Sequence, residues 1–400
     1  MADIRTPILF LSLPRHDENY TSTPWQMAEQ LAKTHEVLFV DNPFTLIDLL
    51  FEFKKSSVRK RLMGYFGRRW FMRDGVTVIL SPFVFPSNFL PRGILFNVVT
   101  HLNHLILARR IRQVLRERHI ASVIYVNSFV FRFPKLHDYL SSVLLNIYHC
   151  IDPMVKTFTL KHGPYMQDIA ARNANFIIST SPSLQEQFRK PGFPKSYYVP
   201  NAANVELFAQ ALEEDLPVQE RVAAIPGKVM GYLGNIERRT DTDLLLRTLE
   251  ALPDWTLVMA GPVEHAFIPM NFLNHPRIIF TGPVHHDDAP GVIKRFDVAI
   301  IPFRCDEVSS GIYPLKLYEY LAAGKPVVTT YFNREVLDTI SDQLFIARSA
   351  EQFPQKVLEA YATDDESKIQ DRYELAKANS WSKRAKQFEN IVLYHLSHHS

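Results

Sequence analysis

The chain is expected to fold as α/β, with two Rossmann-like domains in tandem, each built on a parallel sheet. Three observations carry this expectation. Short apolar runs of strand length alternate with stretches of helical period. The runs are apolar at nearly every position, as strands covered on both faces are. The alternation restarts after Pro200-Asn201-Ala202-Ala203-Asn204, near the middle of 400 residues, a length that suits two or three domains.

Composition agrees. Hydrophobic content of 46% with 22% charged residues suits a globular chain with a sizeable core. A net charge of +3 is too small to argue for nucleic acid. Cys150 and Cys305 lie far apart, each close behind an apolar strand, so reduced thiols in a cytosolic protein are expected. No window reaches 18 uninterrupted apolar residues, which argues against a membrane span. The apolar run 8–13 reads as a strand and not as a signal peptide.

In order, a strand at 8–13 leads through a polar loop to a helix at 24–33 and a strand at 37–40, one βαβ unit. The loop after the first strand, with His16 and Asp17, opens at the carboxyl end of the sheet, where ligands bind in such folds. Residues 44–73 break the pattern. From Lys54 to Arg73 stand eight basic residues and no acid: Lys54, Lys55, Arg59, Lys60, Arg61, Arg68, Arg69 and Arg73. Leu62, Met63, Tyr65, Phe66, Trp70 and Phe71 are mixed among them. A solvated excursion explains the run. An anionic membrane surface explains it equally, each cation contributing roughly 1 kcal/mol there. No RNA-binding or helix-turn-helix motif supports nucleic acid.

A strand at 76–80 precedes a long helix at 94–118, interrupted by His101, Asn103 and His104, with arginines suited to its C-terminal dipole. Strands follow at 121–126, 143–147 and 174–179, the last ended by a Thr180-Ser181-Pro182-Ser183 cap. The first domain is placed at 1–203, the second at 204–378 and a final helix at 379–400; residues 215–227 are read as linker. The second half runs strand 229–233, helix 241–252, and strands 256–260 and 278–281. Helix 286–295, strands 297–302, 327–330 and 344–347, and helices 350–362 and 381–397 complete it.

The stretch 303–330, FRCDEVSSGIYPLKLYEYLAAGKPVVTT, carries the chemistry. A loop of small residues (Ser309, Ser310, Gly311) precedes a helix begun near Pro314 with Lys316 and Glu319. Helix N-termini attract phosphate oxygens through free N–H groups and the dipole. An acid close behind can accept from ribose hydroxyls, as in dinucleotide folds. Taken alone, Lys316 and Glu319 could equally be solvated helix charges. Asp241-Thr242-Asp243 looks like a metal motif but sits where a helix begins, so capping explains it, and no metal is expected. His285-His286-Asp287-Asp288 lacks a second ligand cluster. Asp152, in a turn after the strand at 143–147, is the catalytic-side candidate for binding or deprotonating an acceptor hydroxyl; a capping role explains it equally. Asn127 and Ser128 end another strand at the same level.

The succession GYLGN (231–235), LVMAGP (257–262), FTGPV (280–284), DVAIIPF (297–303) and YPLKLYEYLAAGKPVV (313–328) resembles the C-terminal domain of GT-B glycosyltransferases. The likeness is to family-4-type enzymes of bacterial surface polysaccharide synthesis, particularly the teichuronic acid synthesis-like branch. NIYHCIDP (146–153), NFIISTSPSLQEQF (175–188), YVPNAANVELF (198–208) and WSKRAKQFENIV (381–392) resemble its other segments. The resemblance implies two Rossmann-like domains facing across a cleft, with the final helix crossing back to the first. It implies a transferase of hexosyltransferase type (EC 2.4). The donor would be a nucleotide-diphosphate sugar (UDP or GDP), the acceptor a glycan or lipid-linked molecule. It further implies retention of configuration, with neither metal nor tightly bound cofactor.

Residue by residue, Glu319 matches the second acid of the family's E-x7-E motif, which contacts ribose; the first acid falls at Gly311 and is absent. Ser309, Ser310 and Gly311 are expected to substitute with hydroxyl and backbone N–H donors. Lys316 would meet a phosphate. Gly234 matches the glycine that lets a loop approach the pyrophosphate, and Asn235 replaces the arginine usual beside it. Arg238 or Arg239 would supply the missing cation, Arg238 as a catalytic one. Gly261 joins the binding set, although it most simply ends a strand. Should the reaction invert, Asp152 is the expected base. Two alternatives stay open: a sugar-nucleotide epimerase of similar fold and a non-catalytic nucleotide-sugar-binding protein. The protein is expected in the cytoplasm, with residues 54–73 on the inner face of the plasma membrane.

Overall fold

The computed structural model describes residues 6–17, 22–51, 58–59, 62, 67–154 and 160–398. They form two compact units, Met1–Pro200 with Ala385–Ser400, and Asn201–Arg384. Residues 215–227 belong to the second unit and are no linker: Val222 and Ile225 are buried in its core.

Unit 1 is built on β1 (Ile8–Ser12), β2 (Val37–Asp41), β3 (Trp70–Arg73), β4 (Val76–Ile79), β5 (Val123–Ser128), β6 (Val143–Cys150), β7 (Phe176–Ser179) and β8 (Ser196–Tyr198). They lie in the order β3-β4-β2-β1-β5-β6-β7-β8. All pairings are parallel except β3 with β4. Every residue of β1, β2, β4, β5 and β7 is buried, which is why these runs are apolar at most positions. Helices α1 (Thr23–Ala32), α2 (Leu46–Phe51), α3 (Ile94–Glu117) and α4 (Gly163–Arg172) accompany the sheet. Ser22 caps α1 by accepting from the Trp25 amide. Leu107, Ile111 and Val114 of α3 pack in one cluster with Leu9, Leu38 and Ile79. The polar interruptions of α3 find partners nearby, except that His104 Nε2 has none among the described residues. Asn103 exchanges two hydrogen bonds with the Phe85 backbone, at 2.8 and 2.9 Å. His104 lies 2.7 Å from the Thr100 carbonyl and is held neutral by burial, at a pKa of about 4.

Much of the basic stretch, Lys54, Lys55, Lys60, Arg61, Met63, Tyr65 and Phe66, lies outside the described residues. Its last third holds a sheet edge that the sequence reading did not mark. Trp70 and Phe71 pair with β4. Arg69 bonds Glu117 at 2.5 Å, and Arg73 bonds Asp74 at 3.2 Å and the His16 carbonyl. Those two arginines therefore serve the fold. Among the described residues, no helix is long and apolar enough to cross a membrane.

Unit 2 holds β9 (Lys228–Leu233), β10 (Trp255–Ala260), β11 (Ile278–Gly282), β12 (Val298–Ile301), β13 (Val327–Thr330) and β14 (Phe345–Ala347). Their order is β11-β10-β9-β12-β13-β14, all parallel. This is the Rossmann order, and the winding reverses between β9 and β12. The helices that matter below are α5 (Thr242–Ala251), α6 (Glu307–Ser310), α7 (Leu315–Ala322), α8 (Gln352–Ala362), α9 (Glu366–Ala378) and α10 (Trp381–His398). Asp241 accepts from the Leu244 amide at 3.1 Å, so it does cap α5. The helix expected at 286–295 is a 3-10 turn, His286–Asp288, followed by Ala289–Ile293; Pro290 and Gly291 stand at that join. Helices α4 and α9 escaped the sequence reading. In α9 only Arg372 and Ala376 are buried, so no apolar period marks it.

From Ala385 onward α10 belongs to unit 1. Phe388 stacks on Phe10 with centroids 6.4 Å apart, and His395 on Phe176 at 4.2 Å. Glu389 meets His35 at 2.8 Å. Phe388→Ala should therefore destabilise unit 1 by about 3–5 kcal/mol, the range for a buried Phe truncation, as read by urea unfolding. Unchanged stability would mean that this anchor is not formed in solution.

Candidate functional site

At the winding reversal of unit 2, three strand ends turn on glycines: Gly234 after β9, Gly261 after β10 and Gly282 at the end of β11, with φ of +140°, +143° and +70°. The first two can take no side chain. A Cβ on Gly234 would stand 2.6 Å from Lys316 Nζ, and one on Gly261 would run into the Gly234 carbonyl. The Gly234 amide donates to the Ala260 carbonyl at 2.8 Å, and the Gly261 amide to the Gly282 carbonyl at 3.0 Å. Gly261 thus acts by letting the loop of Gly234 pack closely.

Lys316 is the second residue of α7 and points into this corner. Its Nζ donates to Tyr232 Oη at 2.7 Å and lies 4.0 Å from the Tyr232 ring centroid and 5.0 Å from that of Phe303. Tyr232 passes its own proton to the Asn235 carbonyl at 2.8 Å. Tyr320, on the same helix, accepts from the Leu233 amide at 2.7 Å and ties α7 to the end of β9. Glu319 lies one turn after Lys316. Both side chains keep partial exposure to solvent. Burial nonetheless pushes the Lys316 ammonium down to about 7; Arg239 adds to the push, while Glu319 and Glu237 oppose it. Burial likewise raises the Glu319 carboxyl to about 7, against the pull of Lys316. The result is a cation and an acid at the edge of a low-dielectric pocket, beside a backbone loop without side chains. That arrangement can hold phosphate on one group and hydroxyls on the other.

The remaining sequence candidates divide. Arg239 pairs with Glu237 and its charge reaches Lys316, whereas Arg238 and Asn235 are exposed. The Asn235 backbone, not its side chain, is what the corner uses. Residues 307–310 form the one-turn helix α6 rather than a loop, because Asp306 caps it by accepting from the Ser309 amide at 2.8 Å. The amides of Ser309, Ser310 and Gly311 are engaged within that turn, so they are not the N–H donors expected of them. Ser310 Oγ is spent on the Glu307 carbonyl. Ser309 Oγ, fully buried, has no hydrogen-bond partner among the described residues. Sequence reasoning missed Tyr232, Phe303, Tyr320 and Glu237. Aromatic residues in apolar strands read as core, and nothing in their spacing told that Tyr232 would receive a lysine.

In unit 1, Asp152 sits on an exposed bend behind β6. Asn127 closes its own turn through Val130 and Phe133, and Ser128 lies 3.0 Å from His149, so both serve structure. His16 is better organised than its sequence suggests. Asp41, fully buried, accepts from the His16 amide at 2.9 Å and faces its Nδ1 at 2.8 Å. This fixes the tautomer with Nε2 as the acceptor nitrogen, the arrangement of an oriented base. Among the described residues, His16, Asp17 and Asp41 are also a group close enough to share a metal ion, but the bonds of Asp41 to His16 already explain the cluster.

Residues 227–363 match the family model of the glycosyl transferases group 1. Over 164 residues the chain is 30% identical to TuaH of Bacillus subtilis (strain 168), named as a teichuronic acid biosynthesis glycosyltransferase. That stretch covers 40% of this chain and 41% of the relative, so the match spans about two fifths of that protein's length. The fold is also that of a sucrose-phosphate synthase from Thermosynechococcus elongatus, with TM-score 0.67, 14% identity, and 98% and 100% of the two chains covered. A trehalose-6-phosphate structure from E. coli bound with UDP-2-fluoro glucose gives TM-score 0.65 at 10% identity, covering 96% and 98%. The architecture is GT-B, as the resemblance in the sequence implied.

Gly234→Ala should leave the protein folded by circular dichroism but remove the rise in melting temperature given by a nucleoside diphosphate. Its methyl group would displace Lys316, and its φ of +140° disfavours any side chain. A full nucleotide-induced shift in that variant would show that the corner is not the binding site.

Proposed function

We propose that this chain is a glycosyltransferase of hexosyltransferase type. It moves a sugar from a nucleoside-diphosphate sugar to a glycan or lipid-linked acceptor in polysaccharide synthesis. The observation that carries the reading is the lowered Lys316 ammonium, held over Tyr232 beside side-chain-free Gly234, with Glu319 one helical turn away. All four residues fall within the matched segment 227–363.

In this reaction the bond from the anomeric carbon to the phosphate oxygen breaks, the nucleoside diphosphate leaves with the electron pair, and the acceptor oxygen bonds to the anomeric carbon while its proton passes to the departing phosphate. Lys316 meets the growing phosphate charge, and Arg239 adds positive potential nearby. Glu319 accepts from ribose hydroxyls. The substrate's own phosphates restore the proton affinity that burial takes from Lys316. Retention of configuration without metal or tightly bound cofactor is part of the proposal, and rests on the family-4-type resemblance. An inverting reaction would need a base in unit 1, and there the Asp41-held His16 is favoured over the exposed Asp152. A cytoplasmic protein, peripheral on the inner face of the plasma membrane through residues 54–73, completes the reading. Its support is the charge run of the sequence.

Lys316→Ala and Glu319→Ala should each lower kcat/KM by about 100-fold or more, the scale of losing one preorganised charge contact. Full transfer activity in either variant would overturn the assignment. Lys316 is charged below about pH 7 and loses its proton above it. Calorimetric affinity for a nucleoside diphosphate should therefore fall as pH rises from 7 to about 9, where the ligand itself is already fully ionised. Binding should take up a proton, and Lys316→Ala should flatten the profile. In flotation, the chain should rise with anionic vesicles at low salt and be released by high salt; no binding at low salt would remove residues 54–73 from the reading.

A further inference from the structure

Unit 1 contains a cavity of about 560 Å³ that the donor chemistry does not use. It lies where the winding of that sheet reverses. Arg15 follows β1, Asn42 follows β2, Phe85 follows β4 and Arg132 follows β5, and all four line it. Its volume is that of a small-molecule site.

Three kinds of recognition meet there. The first is positive charge. Arg15 stacks on Phe44 at 3.8 Å and donates Nε to the Asn42 carbonyl at 3.1 Å; Arg132 is buried deeply enough that its proton affinity is lowered. Asp48 is the acid on the wall, and its carboxylate also takes the Thr45 amide and hydroxyl at 2.6 and 2.9 Å. Among the described lining residues, two cations stand against one acid. The second is a pair of unmet acceptors. Asn42 Oδ1 and His162 Nδ1 are buried and lack a hydrogen-bond partner among the described residues. His162 Nε2 lies 3.0 Å from the Leu90 carbonyl, which places the ring proton there and leaves Nδ1 as acceptor. Such groups call for ligand hydroxyls, since a buried acceptor left unbonded loses its hydration without return. The third is an apolar rim. Ile47, Phe85 and Phe89 line the cavity and are 44%, 43% and 66% exposed.

We propose that this cavity binds an amphiphile whose phosphate lies between a hydroxyl-rich head and an apolar chain, a sugar-bearing lipid phosphate. The inference rests on the transferase reading, for which this molecule is the acceptor. Cations alone would suit free phosphate, and the apolar rim alone a neutral amphiphile. Their junction at one mouth selects a ligand that carries both.

The test uses the full chain and calorimetric titration with dodecyl phosphate below its micellar concentration, inorganic phosphate and dodecyl maltoside. Dodecyl phosphate should bind at least about tenfold more tightly than either of the others, a clear step on the affinity scale. The double rim variant Ile47→Ser, Phe89→Ser, whose sites line the cavity and are exposed enough to tolerate it, should lose about tenfold for dodecyl phosphate and nothing for inorganic phosphate. Arg15→Gln should weaken both phosphate ligands. Parity between dodecyl phosphate and dodecyl maltoside would overturn the proposal, as would inorganic phosphate binding equally tightly. So would capture by phosphatidylglycerol vesicles without any binding of the soluble amphiphile. Nucleotide-induced stabilisation of the unaltered chain reports the donor site separately, so either reading can fail while the other stands.

Discussion

A lysine held against its own chemistry is the constraint on which unit 2 turns. Lys316 keeps its ammonium over Tyr232 and Phe303, where burial draws its proton affinity down to about 7. Desolvating a cation costs free energy, and only part of it returns through the aromatic faces and Glu319. The rest of the corner follows from this placement. Gly234 must lack a Cβ to admit the ammonium, and Gly261 must lack one to admit Gly234. Tyr320 must bond the Leu233 backbone so that α7 and β9 stay in register. An incoming diphosphate would supply the missing negative charge, which makes the site weakly favourable when empty and strongly favourable when filled.

Unit 1 solves a different problem with the same topology. Its sheet also reverses its winding, and its strand ends also converge on an opening. Instead of glycine turns it places aromatic and cationic side chains there, together with acceptors that have no partner among the described residues. The first two strands also set the His16–Asp41 pair, because parallel β1 and β2 bring the residues that follow Ser12 alongside Asp41. One fold rule thus yields a glycine-turned corner in one unit and a cavity lined by cations and aromatic rings in the other. The difference lies wholly in the residues at the strand ends.

The strands were legible because buried parallel strands leave continuous apolar runs, and α5 and α7 because one face of each is apolar. Helix α9 was not legible, since tertiary packing around Arg372 holds it and no apolar period does. Edge strand β3 was hidden inside a basic stretch whose Arg69 pairs with Glu117, a contact across 48 residues that no local pattern shows.

By itself the sequence determined the two-fold α/β alternation, the order of its strands along the chain, and Lys316 and Glu319 as charges three residues apart at a helix start. Those features are local, set by period, capping and spacing. Only the tertiary structure decided which charges act together. It brought Tyr232 under Lys316, chose Arg239 over Arg238, and consumed the amides of 309–311 inside the Asp306 cap. It also turned His16 from a loop residue into the partner of Asp41. Each of these depends on the crossing of segments distant in sequence, and no local pattern encodes where two strand ends will meet.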